Sequence, residues 1–159
     1  MKGIRSKFSE CDFNFVSFAI GSVEFGIDVK YIKEVVRCGP ILRCPGLPRF
    51  LEGFVKLRHL HIPVVDLRKR FSLDSETKED ARLLVASLGG RLVGFVVDST
   101  SGITHGSRRS RLRPASVDWP HTDYVDGIVD VGQKRTVVIL TPDSLLSEDE
   151  LEALMLPYP

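Results

Sequence analysis

Arg82–Leu88 and Arg91–Val97 are two largely aliphatic runs separated by nothing but Gly89-Gly90. A two-residue connection of this kind needs positive φ angles, which glycine reaches without steric penalty, so the segment predicts a tight β-hairpin. Phe13, Phe15, Phe18 and Ile20, followed by Gly21-Ser22 and Val23–Ile27, repeat the arrangement near the start of the chain. Two hairpins of like design, far apart in sequence, hint at two β subdomains. Short apolar strands at close spacing leave many edges unpaired, and small closed barrels remove those edges economically. The pattern alone therefore gives a β-rich chain, with two lobes as its natural form.

Between the hairpins, Asp28–Arg37 reads as a helix, with Asp28 as N-cap and Val29, Ile32, Val35 and Val36 on one face. Pro40, Pro45 and Pro48 then make a stiff connector into a strand at Gly53. Ser72–Asp80 is polar and acidic, and reads as an exposed loop joining two halves and open to proteolysis. Towards the end, Tyr124–Val131 and Lys134–Leu140 read as strands around a turn at Gly132. A helical tail follows from Thr141-Pro142. Ser147-x-x-Glu150 has capping-box spacing and places Leu151, Leu154 and Met155 on a packing face. Whether that tail is one helix or two is open at this level.

The formal net charge of +1 supplies no overall attraction to nucleic acid or an anionic membrane, so partner choice falls to local surface. Cys11, Cys38 and Cys44 are odd in number and lack Cys-x-x-Cys spacing, which argues against a disulfide framework or structural zinc and for a reducing cytoplasm. Nothing approaches the ~20 apolar residues of a membrane span, and Met1–Lys7 is basic without the apolar stretch of a signal peptide. A membrane is thus expected to be reached through a partner alone.

Catalytic readings find little purchase. His59 and His61 share a strand face on the expected geometry, yet no further ligands stand at familiar spacing, and His105 and His121 form no cluster. Ser99, Ser101 and Thr104 neighbour His105 in sequence, which supplies no nucleophile–base geometry. Gly89-Gly90 lacks the residues of a phosphate loop. No catalytic residue, metal ligand or cofactor is assigned. Arg108, Arg109, Arg111 and Arg113 form the densest charge, read first as a solvated loop, next as a surface for an acidic protein, and last as a nucleic-acid contact.

The most distinctive motif is Gly53-x-x-x-Leu57-Arg58-x-x-x-x-Pro63-Val64-x-Asp66-Leu67-Arg68. It resembles the core motif of the CheW-type chemotaxis coupling proteins. The resemblance extends upstream to Phe25–Asp28 and Ile32–Val36, and downstream to Gly94–Ile103, Gly127-Ile128, Ile139-Leu140 and Leu145-Leu146, in the family's order and spacing. It implies a mainly β fold of two small SH3-like five-stranded β-barrels packed side by side, with a short connecting helix and a C-terminal helix. The implied boundaries are a polar tail over 1–12, the CheW-like domain over 13–146, and a C-terminal helix and tail over 147–159.

The resemblance also implies a non-enzymatic adaptor with two partners: the regulatory domain of a CheA-type histidine kinase and the cytoplasmic tip of a chemoreceptor. It assigns Ile32, Glu34, Val35, Ile41 and Gly53 to the kinase surface. Arg58, with His59, Val96, Asp98, Thr100 and Gly102, falls to the receptor side, in the groove between barrels. Residue by residue, other roles are open to these positions: Val35 and Ile41 as core, Glu34 as a solvated position, and Arg58 as an internal ion pair with Asp66 or Asp98. The sequence departs from the family pattern at His59, where Gly is usual, Lys56, where Asn is common, and Thr100, where Val is common. All three touch the receptor side. With 159 residues, no phosphoacceptor, ATP-binding or receiver domain is expected beside the module. The alternative from another class is a nucleic-acid-binding barrel working through Arg108–Arg113.

Overall fold

The computed structural model describes residues 12–73, 79–107, 111–112 and 124–154. Its strands run β1 (Asp12–Ile20), β2 (Val23–Asp28), β3 (Ile32–Arg37), β4 (Leu51–Leu57), β5 (Leu60–Asp66), β6 (Arg82–Leu88), β7 (Arg91–Val97), β8 (Ser99–Ser107), β9 (Arg111–Leu112), β10 (Val125–Gly132) and β11 (Arg135–Leu140). Two short α-helices, α1 (Leu67–Arg70) and α2 (Glu148–Ala153), accompany them. The strands form a six-stranded sheet in the order β8-β1-β2-β11-β10-β9 and a five-stranded sheet in the order β3-β6-β7-β5-β4. The expected mainly β architecture of two packed β units is what the structure shows.

Both expected hairpins form. Gly89 and Gly90 take φ of +58° and +82°, the pair of left-handed residues that the β6–β7 connection requires. Gly21, at +61°, turns β1 into β2. The six-stranded sheet is drawn from both ends of the chain and the five-stranded sheet from its middle. Ser72–Asp80 therefore does not join two halves as expected: it leads from α1 to β6, both on the side of the five-stranded sheet, and its residues 74–78 lie outside the described ones. The chain passes between sheets elsewhere, from β2 to β3 and from β7 to β8.

The expected helix over Asp28–Arg37 is a strand preceded by one turn. Asp28 does cap, accepting from Lys30 N at 3.0 Å, but what it caps is a 3-10 turn, Val29–Tyr31. From Ile32 the chain pairs antiparallel with β6, Val35 opposite Leu84 and Val36 opposite Leu83. Ile32, Val35 and Val36 are β-branched, and they suit a pleated, half-buried edge better than the crowded surface of a helix.

The five-stranded sheet closes beyond its hydrogen-bonded order. Leu42, in the proline-rich connector, exchanges backbone bonds with Phe54 of β4: Leu42 N to Phe54 O at 2.7 Å, and Phe54 N to Leu42 O at 2.9 Å. This close approach dictates the neighbouring glycine. A Cβ on Gly53 would stand 2.3 Å from Leu42 O, and the Gly53 φ of +151° suits glycine alone.

One apolar core joins the two sheets. Phe18 and Phe25 of the six-stranded sheet meet Phe71, which follows α1, with ring centroids 5.8 Å apart for Phe18–Phe25 and 5.3 Å for Phe25–Phe71. Leu84, Phe95 and Val97 from the five-stranded sheet complete the same cluster. Each such buried side chain contributes about 1.5–3 kcal/mol of transfer free energy, so the interface between the sheets is a true core.

The C-terminal tail is two pieces. Pro142–Ser144 forms a 3-10 turn that Thr141 precedes without a capping side-chain bond, and α2 begins anew after Ser147. Ser147 Oγ accepts from Glu150 N at 3.1 Å, and Ser147 N donates to Glu150 Oε1 at 2.8 Å, which is the expected capping box. Leu151 and Leu154 pack on the core. Met155 lies outside the described residues.

Candidate functional site

A groove of about 310 Å³ runs where the two sheets meet, between β3 and β8. Val16 and Val29 lie at its base, Ile32–Val35 form one wall and Thr100, Gly102 and Ile103 the other. Val35 is 39% and Ile103 71% exposed, two apolar side chains left to solvent on facing walls. The β8 wall carries a bulge: Ser17 pairs with Gly102 and Phe18 with Thr100, so Ser101 is an extra residue. Gly102 serves this bulge by its φ of +84°, since among the described residues no atom beyond its chain neighbours lies within 4 Å of where its Cβ would be.

At the rim, Glu34 is gripped by Arg58. Nη1 donates to Oε2 at 2.9 Å and Nη2 to Oε1 at 2.7 Å, a two-pronged carboxylate–guanidinium contact. The hydrogen bonds and charge of Glu34 raise the Arg58 pKa above its ordinary value. Arg58 occupies the turn between β4 and β5 with φ of +56°, a conformation uncommon outside glycine. The internal partner weighed for Arg58 among Asp66 and Asp98 is thus neither of these; it is Glu34. His59 shares the exposed turn, whereas His61 lies within β5 opposite Lys56, so the two histidines do not share a strand face as expected.

The structure thereby draws Ile32, Glu34 and Val35 together with Arg58, Thr100 and Gly102 in one patch. Other expected site residues lie elsewhere. Val96 is 1% exposed within the core of the five-stranded sheet, and Asp98 is 3% exposed. Gly53 is enclosed beneath Leu42, and Ile41 is half-buried beside it; Leu42 itself is exposed. Of the arginine run, Arg111 falls in β9 and pairs with Val129 of β10, while Arg108, Arg109 and Arg113 lie outside the described residues.

Asp98 instead belongs to a buried ionic cluster. Arg68, with a side chain 2% exposed, stands 3.1 Å through Nη1 from Asp98 Oδ1 and 3.4 Å through Nε from Asp66 Oδ1. Asp66 Oδ1 also accepts from Arg68 N at 2.9 Å, and Asp98 Oδ2 accepts from Gly21 N at 2.7 Å. Sequence reasoning missed Arg68, although a charged residue just after an apolar strand, two positions beyond an aspartate, was a usable signal. It also missed Ile103, whose mark is a lone branched apolar residue in the polar run Ser99–Ser107.

A second ionic contact fastens the C-terminal helix. Arg70 holds Glu150 with both terminal guanidinium nitrogens and donates through Nε to Leu145 O at 2.9 Å. Burial acts to raise the Glu150 pKa, but the bonds from Arg70 and Ser147 outweigh it and hold the carboxyl below its ordinary value. Among the described residues, no group of three or more His, Cys, Asp or Glu side chains is arranged to hold a metal ion.

Residues 14–150 match the family model of the CheW-like domain. The chain is 29% identical over 139 residues to the chemotaxis protein CheW of Klebsiella aerogenes, covering 86% of this chain and 83% of that protein. It is 25% identical over 134 residues to protein FrzA of Myxococcus xanthus, covering 83% and 84% respectively. Among solved structures, the scaffolding protein TtCheW from Thermoanaerobacter tengcongensis superimposes with a TM-score of 0.76 at 28% identity, over 84% of this chain and 91% of that one.

Proposed function

The chain belongs to the family of CheW-like domains, and from that premise we propose that it is a non-enzymatic adaptor that makes a CheA-type histidine kinase responsive to chemoreceptors. The observation that carries the proposal is the groove between β3 and β8, with Val35 and Ile103 exposed on its walls and the Glu34–Arg58 pair on its rim. An open apolar cleft framed by rigid strands suits the side of a helical receptor tip, whose apolar residues would replace water there.

In this reading Arg58, His59, Thr100 and Gly102 serve the receptor, with Val96 and Asp98 acting from beneath the surface. The kinase regulatory domain meets the five-stranded barrel along Ile32, Glu34, Val35 and the Ile41–Gly53 corner. Glu34 and Arg58 are bonded to one another, so the two contacts share a boundary, as coupling requires. Among the described residues no helix is long and apolar enough to cross a membrane; the adaptor works in the cytoplasm and is recruited to membrane-associated receptor arrays by its partners. The nucleic-acid reading of Arg108–Arg113 gains nothing from the relatives named above.

Calorimetric titration with the regulatory domain of the cognate kinase tests the proposal, together with receptor-dependent kinase activity in a reconstituted membrane assay. Saturable binding and restored receptor control are expected. A chain that binds neither component would overturn the reading.

A further inference from the structure

Asp98 stands where the chain leaves the five-stranded sheet at the end of β7 and enters the six-stranded sheet as β8. Its side chain, like that of Arg68, is 2% exposed, so neither residue touches a partner. Three contacts fix it. Asp98 N donates to Ala19 O at 3.0 Å, Oδ2 accepts from Gly21 N at 2.7 Å, and Oδ1 faces Arg68 Nη1 at 3.1 Å. Ala19 and Gly21 belong to the first hairpin of the six-stranded sheet, whereas Arg68 sits in α1, directly after β5 of the other. The cluster therefore spans the joint between the sheets.

Such a cluster is an inefficient way to stabilise a fold, because desolvation of buried charges offsets most of their attraction; its best-attested use is to fix register. Here two carboxylates face one guanidinium, and the excess negative charge is met by the backbone N–H groups of Gly21 and Arg68. Asp98 Oδ1 lies at ion-pair distance yet accepts no hydrogen bond among the described residues, where attraction to Arg68 is what restrains it. One residue later β8 begins, and it carries Thr100 and Ile103 along the groove.

We propose that Asp98 and Arg68 are positioning residues: by holding the start of β8 against the five-stranded sheet they set the distance between the β3 and β8 walls, and so govern receptor coupling without contacting the receptor. The proposal rests on the reading of the groove as the receptor site. It predicts that loosening the joint widens the groove while leaving kinase binding on the five-stranded barrel intact.

The test uses the full chain with native cysteines replaced by serine and spin labels at positions 35 and 103, read by pulsed electron resonance. Asp98→Ala removes both the Arg68 partner and the Gly21 acceptor. Asp98→Asn keeps an acceptor for Gly21, and Arg68→Lys keeps the charge. The inter-label distances should broaden most in the alanine variant, less in the asparagine variant, and least in the lysine variant. In the unlabelled variants, with Val35 and Ile103 native, receptor-dependent activity should fall in that order, by roughly tenfold for alanine, with kinase-domain affinity unchanged. A folded Asp98→Ala whose distances superimpose on the parent overturns the proposal; should alanine not fold, Asp98→Asn is judged by the same criterion. Broadened distances with coupling intact, while Ile103→Asp abolishes coupling, refute the joint's role and spare the groove. Coupling that survives both Asp98→Ala and Ile103→Asp overturns the joint and the groove together.

Discussion

Glu34 and Arg58 join the two outermost members of the five-stranded sheet's order. Glu34 lies on β3 at one end of that order, and Arg58 follows β4 at the other, yet their side chains meet through two hydrogen bonds of 2.9 and 2.7 Å. With the Leu42–Phe54 backbone bridge, this contact brings the sheet round on itself. It also places a charged clasp on the groove rim.

Because the clasp is solvent-exposed, water and salt screen it, and its removal should alter function more than stability. Arg58→Ala is expected to leave the melting temperature nearly unchanged and to reduce receptor-dependent kinase activity roughly tenfold, as for an interfacial arginine of moderate importance. Exchanging the charges, Glu34→Arg with Arg58→Glu, separates two roles. Recovery in the double variant assigns the effect to the clasp, and continued loss assigns it to direct partner contact by Arg58.

Gly53→Ala should be costly to the fold. The added carbon would meet Leu42 O at 2.3 Å at a backbone angle that disfavours side chains, so a loss of about 2 kcal/mol or more is expected. Urea denaturation checks it: the midpoint falls with little change in slope.

Phe71→Ala removes the ring that links Phe25 and Tyr124 at the junction of the sheets. A cavity at a fully buried phenylalanine costs about 3–5 kcal/mol, a large share of the roughly 5–15 kcal/mol that holds such a domain together. Calorimetry should show a single transition at lower temperature, because one core serves both sheets.

The Glu150 carboxyl is held below its ordinary pKa of 4.5 in the folded chain. Its contribution is therefore complete above that pH and is lost as the pH falls through the lowered folded value. Hydrogen-exchange protection in Glu148–Ala153, taken relative to the intrinsic exchange rate at each pH, should fall below pH 4.5, and Glu150→Gln should show low protection at neutral pH with less further change on acidification. Equal protection in parent and variant across the range would contradict the clamp.

Local rules were legible where partners lie close in sequence. Gly89-Gly90 specifies its hairpin because positive φ is a property of those two residues, and Ser147 with Glu150 caps a helix three residues ahead. The segment Ile32–Arg37 misled because Val29, Ile32, Val35 and Val36 satisfy helical spacing while Ile32, Glu34 and Val36 satisfy strand alternation. The acidic member of the strand pattern found its partner in Arg58, 24 residues on, and no local pattern announces that. Asp98 was legible as a motif position but not as a buried one. Asp98 and its partners Arg68 and Gly21 come from three separate stretches of chain that only the packed sheets bring together.

The most direct measurement is receptor-dependent kinase activity with Ile103→Asp, since Ile103 is 71% exposed on the groove wall and lies outside the buried core. A folded protein with normal affinity for the kinase regulatory domain and no receptor control is expected. Full receptor control in that variant would contradict the groove as the docking site.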